Sequence, residues 1–148
     1  MKAKDLMIGS IVTFKDSLEG AAIPLSVKVV GIGYQDKGGE DECLVCIGGD
    51  ESGCDIIEID DEVVGIPITS DFLEKNGFKV YQHGNGFMFI LADDYYDITA
   101  REFNDGLWKV EYDCTEMGGI PTQSVNISFI HELQHFFRLC GVNMEITL

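Results

Sequence analysis

Long apolar runs are missing from this sequence of 148 residues. A helix that crosses a bilayer needs about 20 consecutive apolar residues, and no stretch of the chain approaches that length. Residues 1–5 lead into a short apolar patch that does not have the form of a signal-peptide core. We therefore expect a soluble, cytoplasmic protein with no membrane partner.

Basic residues are also scarce in this chain. It has 10 lysines and arginines against 26 aspartates and glutamates, which gives a formal net charge of −16. Proteins bind nucleic acid largely through basic side chains that neutralise phosphates, so this composition argues against direct binding of DNA or RNA. A strongly acidic surface suits either a basic protein partner or a nucleic-acid-binding protein, whose site the acids would occupy by mimicking phosphates.

The acids are concentrated in one stretch of the sequence. Residues 36–62 contain eleven acids and a single base, Lys37. We predict that this stretch contacts a protein partner through the following residues: Asp36, Glu40, Asp41, Glu42, Asp60, Asp61 and Glu62. A plainer interpretation is that the acids only keep a small domain in solution.

The cysteine count is odd, and five cysteines cannot all be paired in disulfides within one chain. Residues 43–46 spell C-x-x-C, a spacing found in zinc sites and redox pairs. The same residues read as a strand, in which positions three apart point to opposite faces, and no fourth ligand follows at close spacing. We therefore expect reduced cysteines that belong to the core or the surface.

The most chemically suggestive string lies near the end of the chain, where residues 131–135 read H-E-L-Q-H. On a helix, His131 and His135 would lie one turn apart and could hold one zinc ion. Glu132 would then be the general base that activates a zinc-bound water. A zinc-dependent hydrolase is therefore one hypothesis for the function.

A catalytic zinc needs a third protein ligand. In the metzincin pattern that ligand follows the second histidine by six residues, where this chain has Gly141, and Glu145 lies in a tail predicted to be a strand. His83, Asp113 or Glu116 could supply the ligand only if the fold brings it to the helix. The alternative interpretation is a packing helix with two structural histidines and no bound cofactor.

Short segments rich in valine and isoleucine fill the first half of the chain. Five strands are predicted, at residues 8–14, 25–34, 42–47, 54–59 and 63–69. Short strands in this number, without a helical pattern among them, are typical of a small barrel. We predict an SH3-like β-barrel over residues 1–69, a shape that by itself implies no activity.

Residues 70–148 show a different pattern, which predicts an antiparallel meander covered by a C-terminal helix. The run Thr69-Ser70-Asp71 offers a cap for a short helix, and Asn76-Gly77 gives its C-terminal stop. Four strands, at residues 79–83, 87–91, 95–103 and 107–112, are separated by glycine and asparagine turns. After a loop at residues 114–123, apolar residues recur at helical spacing over residues 128–140, and residues 142–147 are predicted to return as a last strand. The fold class is therefore α+β.

Three groups of residues carry a resemblance to a family. They are the opening D-L-M-I-G of residues 5–9, the link I-P-I-T of residues 66–69 with L-E-K-N-G-F at 73–78, and the I-H-E-L-Q-H of residues 130–135. In this order they resemble a group of small uncharacterised proteins of gut anaerobic bacteria and their prophages or mobile elements. The resemblance implies that the helix is also written H-Q-L-Q-N, so that neither Glu132 nor His135 would be an obligatory catalytic group.

These observations favour a non-catalytic interaction or accessory module that binds a protein partner. The zinc-dependent hydrolase and the acidic mimic of nucleic acid remain the two alternative hypotheses.

Overall fold

The chain divides into two compact units, Met1–Ile66 and Pro67–Leu148. The computed structural model describes residues 9–14, 26–36, 41–48, 54–58, 63–104, 106–114 and 121–148. Both units contain an antiparallel sheet, and the second also contains helices, which confirms the α+β class. Neither helix in this described part is long and apolar enough to span a bilayer.

The described strands of the first unit form a five-stranded antiparallel sheet. They are β1 (Ile11–Phe14), β2 (Ser26–Asp36), β3 (Asp41–Gly48), β4 (Cys54–Glu58) and β5 (Val63–Gly65), in the order β4-β3-β2-β1-β5. Within the described residues no ladder joins the edge strands β4 and β5, so these strands do not close into the predicted barrel. Strand β5 has only three residues and pairs with β1, while β4 pairs with β3, so each of these strands has one partner among the described residues.

The second unit combines a meander with helices. Its elements are α1 (Ser70–Lys75), β6 (Lys79–His83), β7 (Gly86–Ala92), β8 (Tyr96–Asn104), β9 (Leu107–Cys114), β10 (Pro121–Ile127) and α2 (Ile130–Leu139), with the sheet order β10-β9-β8-β7-β6. The meander therefore has five strands, and the four-stranded prediction is wrong because β10 occupies part of the predicted loop. Among residues 123–127 of β10, Val125 is half-buried and Ile127 is buried, while the three polar residues are exposed, which leaves a weak sequence pattern.

One face of this sheet is buried. Alternate residues on β8 and β9 are at most 2% exposed, namely Ile98, Ala100, Trp108 and Val110. Phe89 of β7 packs edge-on against Trp108, with 5.5 Å between ring centroids. The indole N–H of Trp108 donates to the backbone oxygen of Ile68 at 3.2 Å, so the large ring is buried without losing a hydrogen bond. Full burial of one large apolar side chain contributes about 1.5–3 kcal/mol.

The apolar face of α2 is buried as well, as its helical spacing predicts. The buried apolar residues of α2 are Ile130, Leu133, Phe136 and Phe137. Strand β10 leads into α2, and Cys140 at the other end of the helix bonds the side chain of Gln123 in the same strand, so both ends of the helix lie near β10. The helix ends at Cys140, and Gly141 follows with φ +73°, a left-handed conformation that favours glycine.

The tail after α2 is held by a side chain and not by a sheet. Residues 142–148 form no strand, so the predicted last strand is wrong. The buried side chain of Asn76 bonds both backbone groups of Thr147: its Nδ2 donates to the oxygen at 2.7 Å, and its Oδ1 accepts from the N–H at 2.8 Å. The same Nδ2 also donates to the oxygen of Phe72 at 2.9 Å. One asparagine therefore ties the tail to the end of α1.

Replacing Asn76 with alanine should destabilise the protein by about 1–3 kcal/mol, because one buried and two part-buried hydrogen bonds are lost and the oxygen of Phe72 loses a buried donor. Chemical denaturation would measure the free energy of unfolding. The control Asn143→Ala removes an exposed asparagine of the same tail and should change stability by less than about 0.5 kcal/mol. Equal effects of the two changes would contradict the role given to Asn76.

Candidate functional site

The H-E-x-x-H string lies in the first turns of α2, where it was predicted to be helical. His131 is the second residue of the helix, and His135 lies one turn further along. His131 is 2% exposed, whereas His135 is half-buried. The first histidine therefore belongs to the buried face of the helix together with Ile130 and Leu133.

The two imidazole rings pack as aromatic groups. The ring of His131 stacks on Phe129, with 5.8 Å between centroids and an angle of 14° between planes. It meets the ring of His135 edge-on, at 5.8 Å and 77°. Contacts of this kind are usual between flat side chains in a core. His131 thus fills space between a phenyl ring and a second imidazole.

The carboxylate of Glu132 caps the helix. Its Oε2 accepts from the backbone N–H of Ser128 at 2.7 Å and from that of Phe129 at 2.9 Å. Glutamate at the third helical position often folds back in this way, since the first N–H groups of a helix have no partners within it. Negative charge at this end is also favoured by the helix dipole. Glu132 is therefore directed at the start of α2, which does not support its assignment as a general base.

A third metal ligand is not brought to these histidines in the part of the chain that the structure describes. No group of three histidine, cysteine, aspartate or glutamate side chains there could hold a metal ion. His83 lies at the exposed end of β6, Asp113 lies on β9, and Glu145 is an exposed tail residue, while Glu116 lies outside the described residues. The catalytic set that the hydrolase hypothesis needs is therefore not assembled among the described residues.

The predicted interaction residues are only partly covered by the structure. Asp36 ends β2 and pairs with Asp41 at the start of β3, and Glu42 follows opposite Gln35. The β2–β3 hairpin therefore brings Asp36, Asp41 and Glu42 to one end of the first sheet. The other four predicted contact residues lie outside the described residues: Glu40, Asp60, Asp61 and Glu62.

The C-x-x-C string lies within β3. Cys43 and Cys46 are three positions apart in a strand, where side chains alternate between faces. The expectation that these cysteines are reduced residues of the core or the surface stays a prediction.

The exposure of the hairpin formed by β6 and β7 was not predicted from the sequence. Every residue from Lys79 to Phe87 is exposed, including Tyr81 at 47% and Phe87 at 65%. Gly84 has φ +60°, and Asn85 does not have a positive φ, which fits the hairpin turn with glycine at its first central position. The sequence predicted both strands, but it held no signal that β6 would lie at the edge of the sheet.

Comparison of the chain with protein-family models, with curated proteins and with solved structures gives no match. The function is therefore inferred from the geometry of the described residues.

The role of Glu132 as a cap predicts a graded effect of two substitutions. Glu132→Ala should lower the free energy of unfolding by about 0.5–2 kcal/mol, the usual cost of a lost N-terminal cap. Glu132→Gln keeps an oxygen that can accept from the same N–H groups, so its loss should be clearly smaller. Thermal and chemical denaturation would measure both. If alanine and glutamine were equally stable and close to the parent, the capping role would be refuted.

The environment of His135 predicts a dependence of stability on pH. Burial lowers the pKa of His135 from its ordinary value of 6.5, and Arg138 lowers it further, against an opposing effect of Glu132. Below pH 6.5 the unfolded chain takes up a proton at this histidine more readily than the folded chain does. Stability from this group is therefore complete above pH 6.5 and declines as the pH falls toward the lower, folded-state pKa.

A variant that lacks only His135 isolates this effect. Unfolding curves measured between pH 8 and pH 5 should show a smaller decline for His135→Gln than for the parent protein. Parallel declines in the two proteins would show that His135 makes no such contribution.

Proposed function

We propose that this chain is a non-catalytic interaction module, which binds an extended segment of a basic protein partner along the free edge of β6. The observation that carries this proposal is the exposure of all five residues of β6 at the edge of the second sheet. Edge strands present unpaired N–H and C=O groups, and adding a strand there is a common mode of peptide recognition.

The hairpin geometry identifies which backbone groups β6 offers. The β6–β7 ladder closes with the pair of His83 and Gly86 around a two-residue turn, and such a closing pair is hydrogen-bonded. Hydrogen-bonded and non-hydrogen-bonded pairs alternate along an antiparallel ladder. The backbone groups of Val80 and Gln82 therefore point away from β7 and are available to an incoming strand.

The opposite edge of the sheet is less suited to strand addition. Strand β10 begins with Pro121, which has no N–H to donate, and a register shift interrupts its ladder between Pro121 and Gln123. Prolines and irregularities of this kind protect natural sheet edges. In β6 the only formally charged residue is Lys79, and the ladder to β7 is regular. The two edges therefore differ in the protection that the sequence gives them.

Exposed apolar side chains surround the β6 edge. Val80 is 40% exposed, and Phe87, which lies next to Phe89 on the same face of β7, is 65% exposed. Tyr81 lies on the other face, opposite Met88. A bound segment would gain main-chain hydrogen bonds from the edge, and these side chains would supply apolar contact on both faces.

The charge of the chain supports a basic partner. With 26 acids and 10 bases, the protein attracts positively charged surfaces over a distance set by the ionic strength. Such attraction mainly raises the rate of association, and contacts at the edge then determine how long the complex lasts. The predicted acidic contact residues around the β2–β3 hairpin would add to this attraction.

We also infer that the first unit is a curled sheet of SH3-like type. The strand order β5-β1-β2-β3-β4 and the eleven-residue length of β2 support this inference. A register shift between Val29 and Gly31 supports it further, because bulges bend a strand and let a sheet curl.

Val80→Pro should weaken peptide binding at least tenfold, because proline removes an outward N–H without removing a hydrogen bond to β7. A tenfold loss of affinity corresponds to about 1.4 kcal/mol, which is the scale of one hydrogen bond. Linear peptides selected from a display library on the intact protein would serve as ligands, with affinities measured by titration. The matched control Val80→Thr keeps the N–H and the strand shape and should bind within about twofold, on the scale of a minor surface change.

The selected peptides should be basic, and added salt should weaken their binding. Peptides that bind Val80→Pro as tightly as the parent would refute the edge as the site. Acidic or salt-insensitive peptides would refute the proposed chemistry of the partner. Binding of this chain to a DNA-binding protein, competed away by DNA, would favour the nucleic-acid mimic instead.

A further inference from the structure

Two cysteines of the second unit, Cys114 and Cys140, are free and half-buried. They come from different elements, since Cys114 is the last residue of β9 and Cys140 is the C-cap of α2. Neither takes part in the interaction surface proposed above. Their neighbours bring them to one corner of the unit.

Cys114 lies at the end of the face of β9 that meets the core. Trp108 and Val110 are buried on that face, and alternation along the strand places Tyr112 and Cys114 on it as well. Cys114 pairs with Tyr96 of β8. The ring of Tyr96 stacks on that of Tyr112 with 5.9 Å between centroids, which agrees with this placement.

Cys140 reaches the same corner from the helix. Its Sγ donates to Oε1 of Gln123 at 3.6 Å. Gln123 belongs to β10 and lies directly opposite Tyr112 in the ladder with β9. The side chain of Gln123 therefore connects the end of α2 to the strand position two residues before Cys114.

Tyr112 lies between the positions of the two cysteines in the ladder, because it precedes Cys114 by two residues and lies opposite Gln123. Burial raises the pKa of Tyr112 from its ordinary value of 10.0, and the charges of the Cys114 and Cys140 thiolates raise it further. Electrostatic effects between side chains decline with distance. This agrees with the positions given by the ladder and by the contact with Gln123.

We propose that Cys114 and Cys140 form an oxidisable thiol pair, which a peroxide converts to an intramolecular disulfide between the end of β9 and the end of α2. Disulfide formation needs Cα atoms within about 7 Å. Cys114 and Gln123 are diagonal neighbours across the ladder, a separation of about 7–8 Å, and Cys140 already contacts the side chain of Gln123. Closing the remaining distance requires a movement of the last turn of α2.

The reaction takes place in two steps. The Cys114 thiolate attacks one oxygen of hydrogen peroxide, the O–O bond breaks, and hydroxide leaves and takes up the proton that Cys114 lost. The sulfur of Cys140 then attacks the resulting sulfenic acid; the S–O bond breaks, the S–S bond forms, and water leaves with the proton of the Cys140 thiol. In total, two thiols and one peroxide give one disulfide and two waters.

The order of the two thiols follows from their surroundings. Burial raises the pKa of the Cys140 thiol above its ordinary value of 9.0, so this thiol is protonated at neutral pH. A protonated thiol is a poor first nucleophile, because the thiolate is the reactive form. We therefore assign Cys140 as the resolving thiol and Cys114 as the thiol that meets the oxidant first.

Trypsin offers a direct test on the full chain. Cleavage after Lys109 and Arg138 places Cys114 in fragment 110–138 and Cys140 in fragment 139–148, while the other three cysteines share fragment 38–75. After treatment of the folded protein with hydrogen peroxide and blocking of the remaining thiols, mass spectrometry should find fragments 110–138 and 139–148 joined by a disulfide. Reduction should separate them.

Serine variants test the order of the steps, and circular dichroism would verify that each variant is folded. In Cys140→Ser, peroxide should leave a sulfenic acid at Cys114 that a dimedone probe labels; in Cys114→Ser, fragment 139–148 should stay unlabelled. The proposal would be overturned if the two cysteines were oxidised separately in the parent, or if either fragment became linked to fragment 38–75 instead. Labelling of fragment 139–148 in Cys114→Ser would overturn the assigned order.

Discussion

The buried face of the second sheet has to be covered, and most features of Pro67–Leu148 depend on that contact. Trp108 lies within this face, with Phe89 against its ring and the carbonyl of Ile68 as partner for its N–H. Covering the face requires a helix with one continuous apolar side, which α2 supplies. The segment before α1 is joined to the same region, because Ile68 also donates to the oxygen of Ser128 at 2.9 Å. The start of the unit and the start of α2 are thus fixed together around one core.

This packing determines the chemistry left to the H-E-x-x-H string. A catalytic helix must direct its histidines and its glutamate at a common open position. In α2 the first histidine is stacked on Phe129, and the glutamate carboxylate is turned back to the N–H groups before the helix. His131 therefore packs as a buried side chain, and Glu132 caps the start of the helix. Residues at positions i and i+4 lie on one face of a helix. The spacing that suits a metal site therefore also suits the packing of both side chains against the protein.

Local patterns explain which parts of the fold the sequence could predict. The apolar spacing from Ile130 to Phe137 predicts α2, Thr69 marks the start of α1 through its bond from the N–H of Phe72, and glycine marks the hairpin turns. The errors lie where a distant partner decides the structure. Strand β10 is mostly polar and exists because β9 pairs with it, while the tail looks like a strand but is held by the amide of Asn76, 71 positions away in sequence. A third zinc ligand, the edge position of β6 and the contact of Cys140 with Gln123 depend in the same way on contacts between distant residues.

The covered face and the free edge have opposite requirements, and the meander separates them by strand order. Moving from β9 through β8 to β6, burial declines from the nearly inaccessible Trp108 to a strand with no buried residue at all. Strand β6 therefore adds little to the core, and its main contribution is to pair with β7. A strand with this little burial forms without a large loss of stability only where its turn is favourable, as the Gly84 turn is. The exposed backbone groups and side chains of β6 are then available to another chain. The stability of the unit is thus concentrated at Trp108 and α2, which leaves β6 able to change its contacts without disturbing the core.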